Sequence, residues 1–114
     1  MERLFVYGTL APGRANAHML ADVPGKWQPA TIRGFLCVAG WGAAAGYPGI
    51  QPDEQGEPVQ GLVFSAPGLA AHWPRLDAFE GGDYRRVAVM ATLNDGTQVQ
   101  VQVYALAEGC SGSR

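Results

Sequence analysis

Residues 97–105 alternate strictly. Val99, Val101 and Val103 point one way and Gln98, Gln100 and Gln102 the other, the period of a strand with one buried and one wet face. Residues 84–93 lie across Asn94-Asp95-Gly96, a turn in which glycine supplies positive φ, so the two segments read as a β-hairpin. Three earlier segments carry strand signals. Residues 3–7 are β-branched and aromatic and stop at Gly8. Residues 30–39 place Ile32, Leu36 and Val38 on one face, and residues 57–66 place Val59 and Val63 in phase. One stretch has helical spacing: residues 69–80 follow Pro67-Gly68 and stop at Gly81-Gly82. Pro74 inside it is expected to kink or split the helix. A shorter helical turn at 17–20 has Asn16 available as its cap. The pattern implies a twisted antiparallel sheet or partly closed barrel with one packed helix.

Composition narrows the picture without changing it. The chain has 114 residues, enough for one core. Residues 1–106 read as a single domain and 107–114 as a flexible C-terminal tail. Hydrophobic residues make up 47% and charged residues 16%, which excludes intrinsic disorder as the dominant state. A net charge of -2 gives no general attraction for nucleic acid or anionic membranes, and neither is expected as a partner. With 16 Gly and 8 Pro, loops and tight turns are abundant. The two cysteines make no framework: Cys37 reads as a core residue, Cys110 lies in the polar tail, and no disulfide is expected. The N-terminus lacks signal-peptide character and no apolar run is long enough to span a bilayer, so the expected location is cytoplasmic.

One carboxylate sits where a hydrophobic residue belongs. On a helical wheel Leu69, Trp73 and Leu76 form one stripe, and the next position on it is Glu80. Burial and the partial negative charge at a helix C-terminus both disfavour the anion, so the carboxyl pKa is expected to rise. A Glu tuned toward neutrality suits general acid and base work. The alternative is structural, an ion pair of Glu80 with Arg85 or Arg86.

A second candidate is the loop after the first strand. The backbone N–H groups of Gly8, Thr9 and Leu10 lie beyond a strand end, where they form either an anion-binding concavity or an ordinary turn. The loop has neither a P-loop ending nor a dinucleotide fingerprint. His18 and His72 have no partners at metal-ligand spacing, so no metal site is expected. No serine sits in a nucleophile elbow. Tyr47, beside Pro48-Gly49, is a turn residue of the kind that also lines pockets.

Taken in order, Tyr7-Gly8-Thr9-Leu10 with Pro12-Gly13 and Asn16, then Leu76-Asp77-Ala78-Phe79-Glu80-Gly81-Gly82-Asp83-Tyr84-Arg85-Arg86, resemble the two signatures of the γ-glutamylcyclotransferase-like (AIG2-like) family. The resemblance covers nearly the whole chain before the tail. It implies an α+β fold, a small, mostly antiparallel β-barrel with one or two flanking helices and a pocket at its mouth. It also implies an enzyme that cyclises a γ-glutamyl amine or γ-glutamyl amino acid to 5-oxoproline. Glu80 would be the acid/base, with the loop at Gly8, Thr9 and Leu10 holding the substrate carboxylate. Tyr7, Tyr84 and Tyr104 would line the pocket, and Tyr47 joins them as a candidate from its place beside the rigid turn. By alternation Tyr104 falls on the Gln face, so that face lines the cavity locally, a bulge intervenes, or Tyr104 is a surface residue. The expected partner is a small γ-glutamyl substrate, with no cofactor, and a monomer or weak homodimer suits the size. The alternative is a non-catalytic, small-molecule-binding or regulatory member of the same fold.

Overall fold

The computed structural model describes residues 2–7, 18–21, 23–37 and 49–107, with His18 and Met19 described by backbone alone. Along the chain these form β1 (Glu2–Val6), α1 (His18–Ala21), β2 (Lys26–Cys37), β3 (Gly49–Pro52), β4 (Glu57–Ala66), α2 (Trp73–Glu80), β5 (Tyr84–Leu93) and β6 (Gln98–Leu106). Strand β4 pairs antiparallel with both β1 and β2, and β5 with β6. The sheet closes where β1 meets β6 in parallel and β2 meets β5 at Ala30–Leu93 and Thr31–Thr92. Strand β3 joins β2 to β6 through Leu36–Ile50 and Ile50–Ala105. The result is a small barrel, antiparallel except along β1–β6 and β3–β6.

Alternation gives the barrel wall two apolar sides. Phe5, Ala30, Ile32, Ile50, Val63 and Val101 pack together on the inner side. The neighbours Leu4, Val6, Phe64 and Ala66 turn outward and are covered by Leu69, Trp73 and Leu76 of the helical segment. A second core therefore lies between the barrel and α2. Closing the barrel removes most exposed strand edges, and the helix removes the exposed apolar face.

Pro74 divides the helical segment as its chemistry requires. A 3₁₀ turn at Leu69–His72 precedes α2, and Pro74 falls in the first turn of α2, where no intrahelical N–H is needed. Gly81 ends the helix at φ 76° and ψ -166°, a conformation essentially confined to glycine, while its N–H closes the last bond to the Asp77 carbonyl. The hairpin turn is also as the sequence implies, with Gly96 at φ 90°.

Several expectations need correction. β2 begins at Lys26, ahead of the expected start at residue 30, because Pro29 pairs with Leu62 and its carbonyl accepts a bond from the Asn94 N–H. Strand β3 has no counterpart in the sequence reading. Leu36 is 49% exposed, because β2 there runs past the packed interior. Cys37 is not a free core thiol but disulfide-bonded. The chain's other cysteine, Cys110, the cap residue Asn16, positions 38 and 39 of the expected second strand and residues 108–114 of the expected tail lie outside the described residues. At the start of that tail, Ala107 is bonded through its N–H to the Asp83 carbonyl. Among the described residues no helix is long and apolar enough to cross a membrane.

Candidate active site

Helix α2 buries Trp73, Leu76 and Glu80. The stripe read from the wheel is the buried stripe, and the carboxylate on it is 7% exposed. Burial raises the Glu80 carboxyl from its ordinary value to about 7. At neutral pH both protonation states are then populated, the condition a group needs to take a proton in one step and return it in the next.

Three tyrosines surround this end of the helix. Tyr7 follows β1 on the inner side of the wall, stacked near Phe5. Its hydroxyl donates to the Tyr104 carbonyl at 2.8 Å and accepts from the Ile50 N–H at 3.0 Å. Burial pushes the Tyr7 phenol well above its usual range, and the nearby charges of Tyr84 and Glu80 push the same way. The phenol therefore stays protonated, a fixed dipole rather than a titrating group. Tyr84 begins β5 immediately beyond the turn after α2 and packs, half-buried, against the core under the helix. Tyr104 is also raised by burial, by its bond to Asp77 and by the charges of Asp77 and Glu80. The structure thus brings Glu80, Tyr7, Tyr84 and Tyr104 into one neighbourhood. Gly8, Thr9, Leu10 and Tyr47, the other residues named from sequence, lie outside the described residues.

Two of the three alternatives that alternation left for Tyr104 fall away. The β5–β6 register runs through Val87–Val103, Arg86–Tyr104 and Arg85–Ala105 without a bulge. Tyr104 does share the Gln face, yet it is 5% exposed because α2 covers that face locally. It is neither a bulge residue nor a surface residue.

A cluster that sequence reasoning missed stands on the same face. Asp77, one helical turn before Glu80, accepts from Arg86 Nε at 2.9 Å and Nη2 at 3.2 Å, and from the Tyr104 hydroxyl at 2.7 Å. The guanidinium also lies 4.5 Å from the centre of the Trp73 ring. Bonds from Arg86 hold the Asp77 carboxyl below the usual carboxylate range, and Asp77 in turn raises Arg86. The expected structural alternative paired Arg85 or Arg86 with Glu80; the bidentate ion pair of Arg86 is with Asp77. The missed signal was the hairpin itself, since a turn centred on Asp95 sets Arg86 opposite Tyr104.

Among the described residues no three His, Cys, Asp or Glu side chains gather as metal ligands. A separate groove of about 680 Å³, lined in part by Thr31, Arg33, Met90, Gln98 and Gln100, contains none of the candidate residues.

A barrel with one covering helix, and a buried glutamate at the helix end facing tyrosines, defines a class that comparison with known proteins identifies. The chain belongs to the family described as "Gamma-glutamyl cyclotransferase, AIG2-like", whose model matches residues 4–113. It is 30% identical over 109 residues to YkqA of Bacillus subtilis (strain 168), covering 96% of this chain but 37% of that protein. The crystal structure of YkqA matches with a TM-score of 0.70 at 29% identity, over 93% of this chain and 36% of YkqA. The crystal structure of an AIG2-like protein from Mus musculus matches with a TM-score of 0.70 at 26% identity, over 94% of this chain and 78% of the mouse protein. The chain thus spans little more than a third of the bacterial relative. A structure titled "Gamma-glutamyl cyclotransferase" matches at a TM-score of 0.67 and 18% identity, a likeness of fold alone.

Proposed function

We propose that this chain is a γ-glutamylcyclotransferase-type enzyme that converts a γ-glutamyl amine or γ-glutamyl amino acid to 5-oxoproline and a free amine. The observation that carries this reading is the burial of Glu80 at the end of α2, with its carboxyl raised to about 7. Family membership supports it.

The chemistry is an internal acyl transfer. A γ-glutamyl compound carries an α-ammonium and a γ-amide on one short chain. The α-ammonium gives a proton to ionised Glu80, and the freed amine attacks the γ-carbonyl carbon, forming the ring C–N bond. The attacking nitrogen sheds its second proton to solvent, and the C–N bond to the leaving amine breaks as Glu80 returns its proton to that nitrogen. The released amine takes up the solvent proton and leaves as an ammonium, so Glu80 ends the cycle as it began. Holding the chain in a ring-ready shape supplies much of the rate, because effective molarities of oriented internal reactions reach about 10⁵–10⁸ M. In this reading the N–H groups of Gly8, Thr9 and Leu10 hold the α-carboxylate. Tyr7, Tyr84, Tyr104 and Tyr47 shape the pocket. The phenols at positions 7 and 104 are kept protonated by burial, and they confine Glu80 without competing for its proton.

The test is Glu80→Gln, which preserves shape and removes proton transfer. With a panel of γ-glutamyl amines and amino acids, 5-oxoproline release is expected to fall by about 10²–10⁴-fold. A variant as fast as the parent would remove Glu80 from the mechanism. A parent protein stabilised to heat by these compounds, yet releasing no 5-oxoproline, would make the chain a binding module.

A further inference from the structure

The barrel and the helix are joined at this site by a continuous series of hydrogen bonds through Tyr104. On one side its backbone carbonyl accepts from the Tyr7 hydroxyl, which in turn accepts from the Ile50 N–H. On the other side its own hydroxyl donates to Asp77 at 2.7 Å. Asp77 is clamped from β5 by Arg86, and Arg86 is seated against Trp73 on the first turn of α2. One residue of β6 therefore grips both the inner-wall tyrosine and the helix that carries Glu80.

Geometry makes this grip specific to the end of the helix. Asp77 precedes Glu80 by three positions, and its carbonyl accepts the last helical bond, from Gly81. Fixing the Asp77 side chain fixes the final turn from which Glu80 projects. Apolar contact alone does not do this, because Leu76 and Trp73 resist separation from the barrel but allow sliding and rotation along it. Directional bonds of 2.7–2.9 Å on Asp77 Oδ1 set the helix in register with β5 and β6.

We propose that Asp77 and Tyr104 are positioning residues of the active site, pinning the last turn of α2 to the barrel so that Glu80 stays buried beside Tyr7. The proposal rests on the cyclotransferase reading for its catalytic consequence, but not for its structural one. Asp77 remains ionised under the influence of Arg86, so the strut holds across the range in which Glu80 gains and loses its proton. Among the described residues, Tyr7 just after β1 and Tyr104 on β6 both feel the charge of Glu80, and Tyr84 on β5 lies beside Tyr7.

Two substitutions test the strut. Tyr104→Phe removes only the hydroxyl bond and keeps both the ring and the carbonyl that accepts from Tyr7. Asp77→Asn removes the charge and the bidentate clamp. The Glu80 carboxyl is followed by ¹³C NMR in each folded variant, alongside 5-oxoproline kinetics. Both variants are expected to lower the Glu80 midpoint toward the ordinary carboxylate value, as water reaches the loosened turn. They are also expected to reduce kcat by roughly 10–100-fold with KM changed less than about threefold. Asp77→Glu is expected to restore part of both. A midpoint that stays put or rises in the variants overturns the proposal, whatever happens to Tm. Should Asp77→Asn fail to fold, Tyr104→Phe decides alone. Should the parent protein release no 5-oxoproline, the enzymatic reading fails and the midpoints still decide the strut.

Discussion

The two sides of the barrel wall handle polarity differently. On the inner side Phe5, Ile50, Val63, Val101 and Val103 are no more than 2% exposed, and the Tyr7 hydroxyl there is bonded both as donor and as acceptor. On the outer side, under α2, two carboxylates one helical turn apart are held in opposite states. Asp77 is bonded to a guanidinium and a phenol and stays charged; Glu80 is buried and drawn toward neutrality. In the proposed function the inner wall supplies rigidity, and the helix-covered side supplies the proton transfer. Environment rather than residue type makes the difference between the two acids.

The inner side can be broken most severely. Phe5→Ala removes a ring that is 1% exposed from the centre of the inner core, and the expected loss of stability is about 3–5 kcal/mol. Urea denaturation followed by far-UV circular dichroism measures it, and a loss below about 1 kcal/mol would show that the inner core does not hold the barrel together.

A smaller effect of opposite sign is expected on the outer side. Glu80→Gln removes a carboxyl whose folded-state pKa, about 7, stands above the ordinary 4.5. A raised carboxyl pKa favours the protonated form, so the cost of ionised Glu80 is absent below the unfolded value, grows from 4.5 to 7, and is full above 7. The variant is therefore expected to match the parent in stability near pH 4. By pH 8 it should exceed the parent by about 3 kcal/mol, because each tenfold change in an ionisation constant corresponds to about 1.4 kcal/mol. Thermal melts across this range check the sign: a variant less stable than the parent at pH 8 would mean that ionised Glu80 is stabilised rather than penalised.

The contrast also explains what could be read in the sequence. The hairpin, β1, β4 and the buried stripe of the helix were legible because each is a local period: Val99, Val101 and Val103 in twos, Leu69, Trp73, Leu76 and Glu80 in threes and fours. Strand β3 was not, because Gly49-Ile50-Gln51-Pro52 is too short to show a period and is bounded by residues that signal turns. Pro29 hid the start of β2 for the same reason. The burial of Tyr104 was illegible because alternation says which face a residue shares, not whether a helix later covers that face. The Asp77–Arg86 pair was hidden by a plausible rival, since Glu80 is nearer to Arg86 in sequence. Register across the hairpin, a tertiary fact, decides for Asp77.

The central claim is that Glu80 is a buried acid poised near neutrality, and its own titration tests this most directly. With the protein labelled at glutamate side-chain carbons, the Glu80 resonance, assigned by its loss in Glu80→Gln, is followed by ¹³C NMR from pH 3 to pH 9. A midpoint near 7 is the expected result. A midpoint at or below 4.5 would contradict the claim, because it would place the carboxylate in water or in an ion pair.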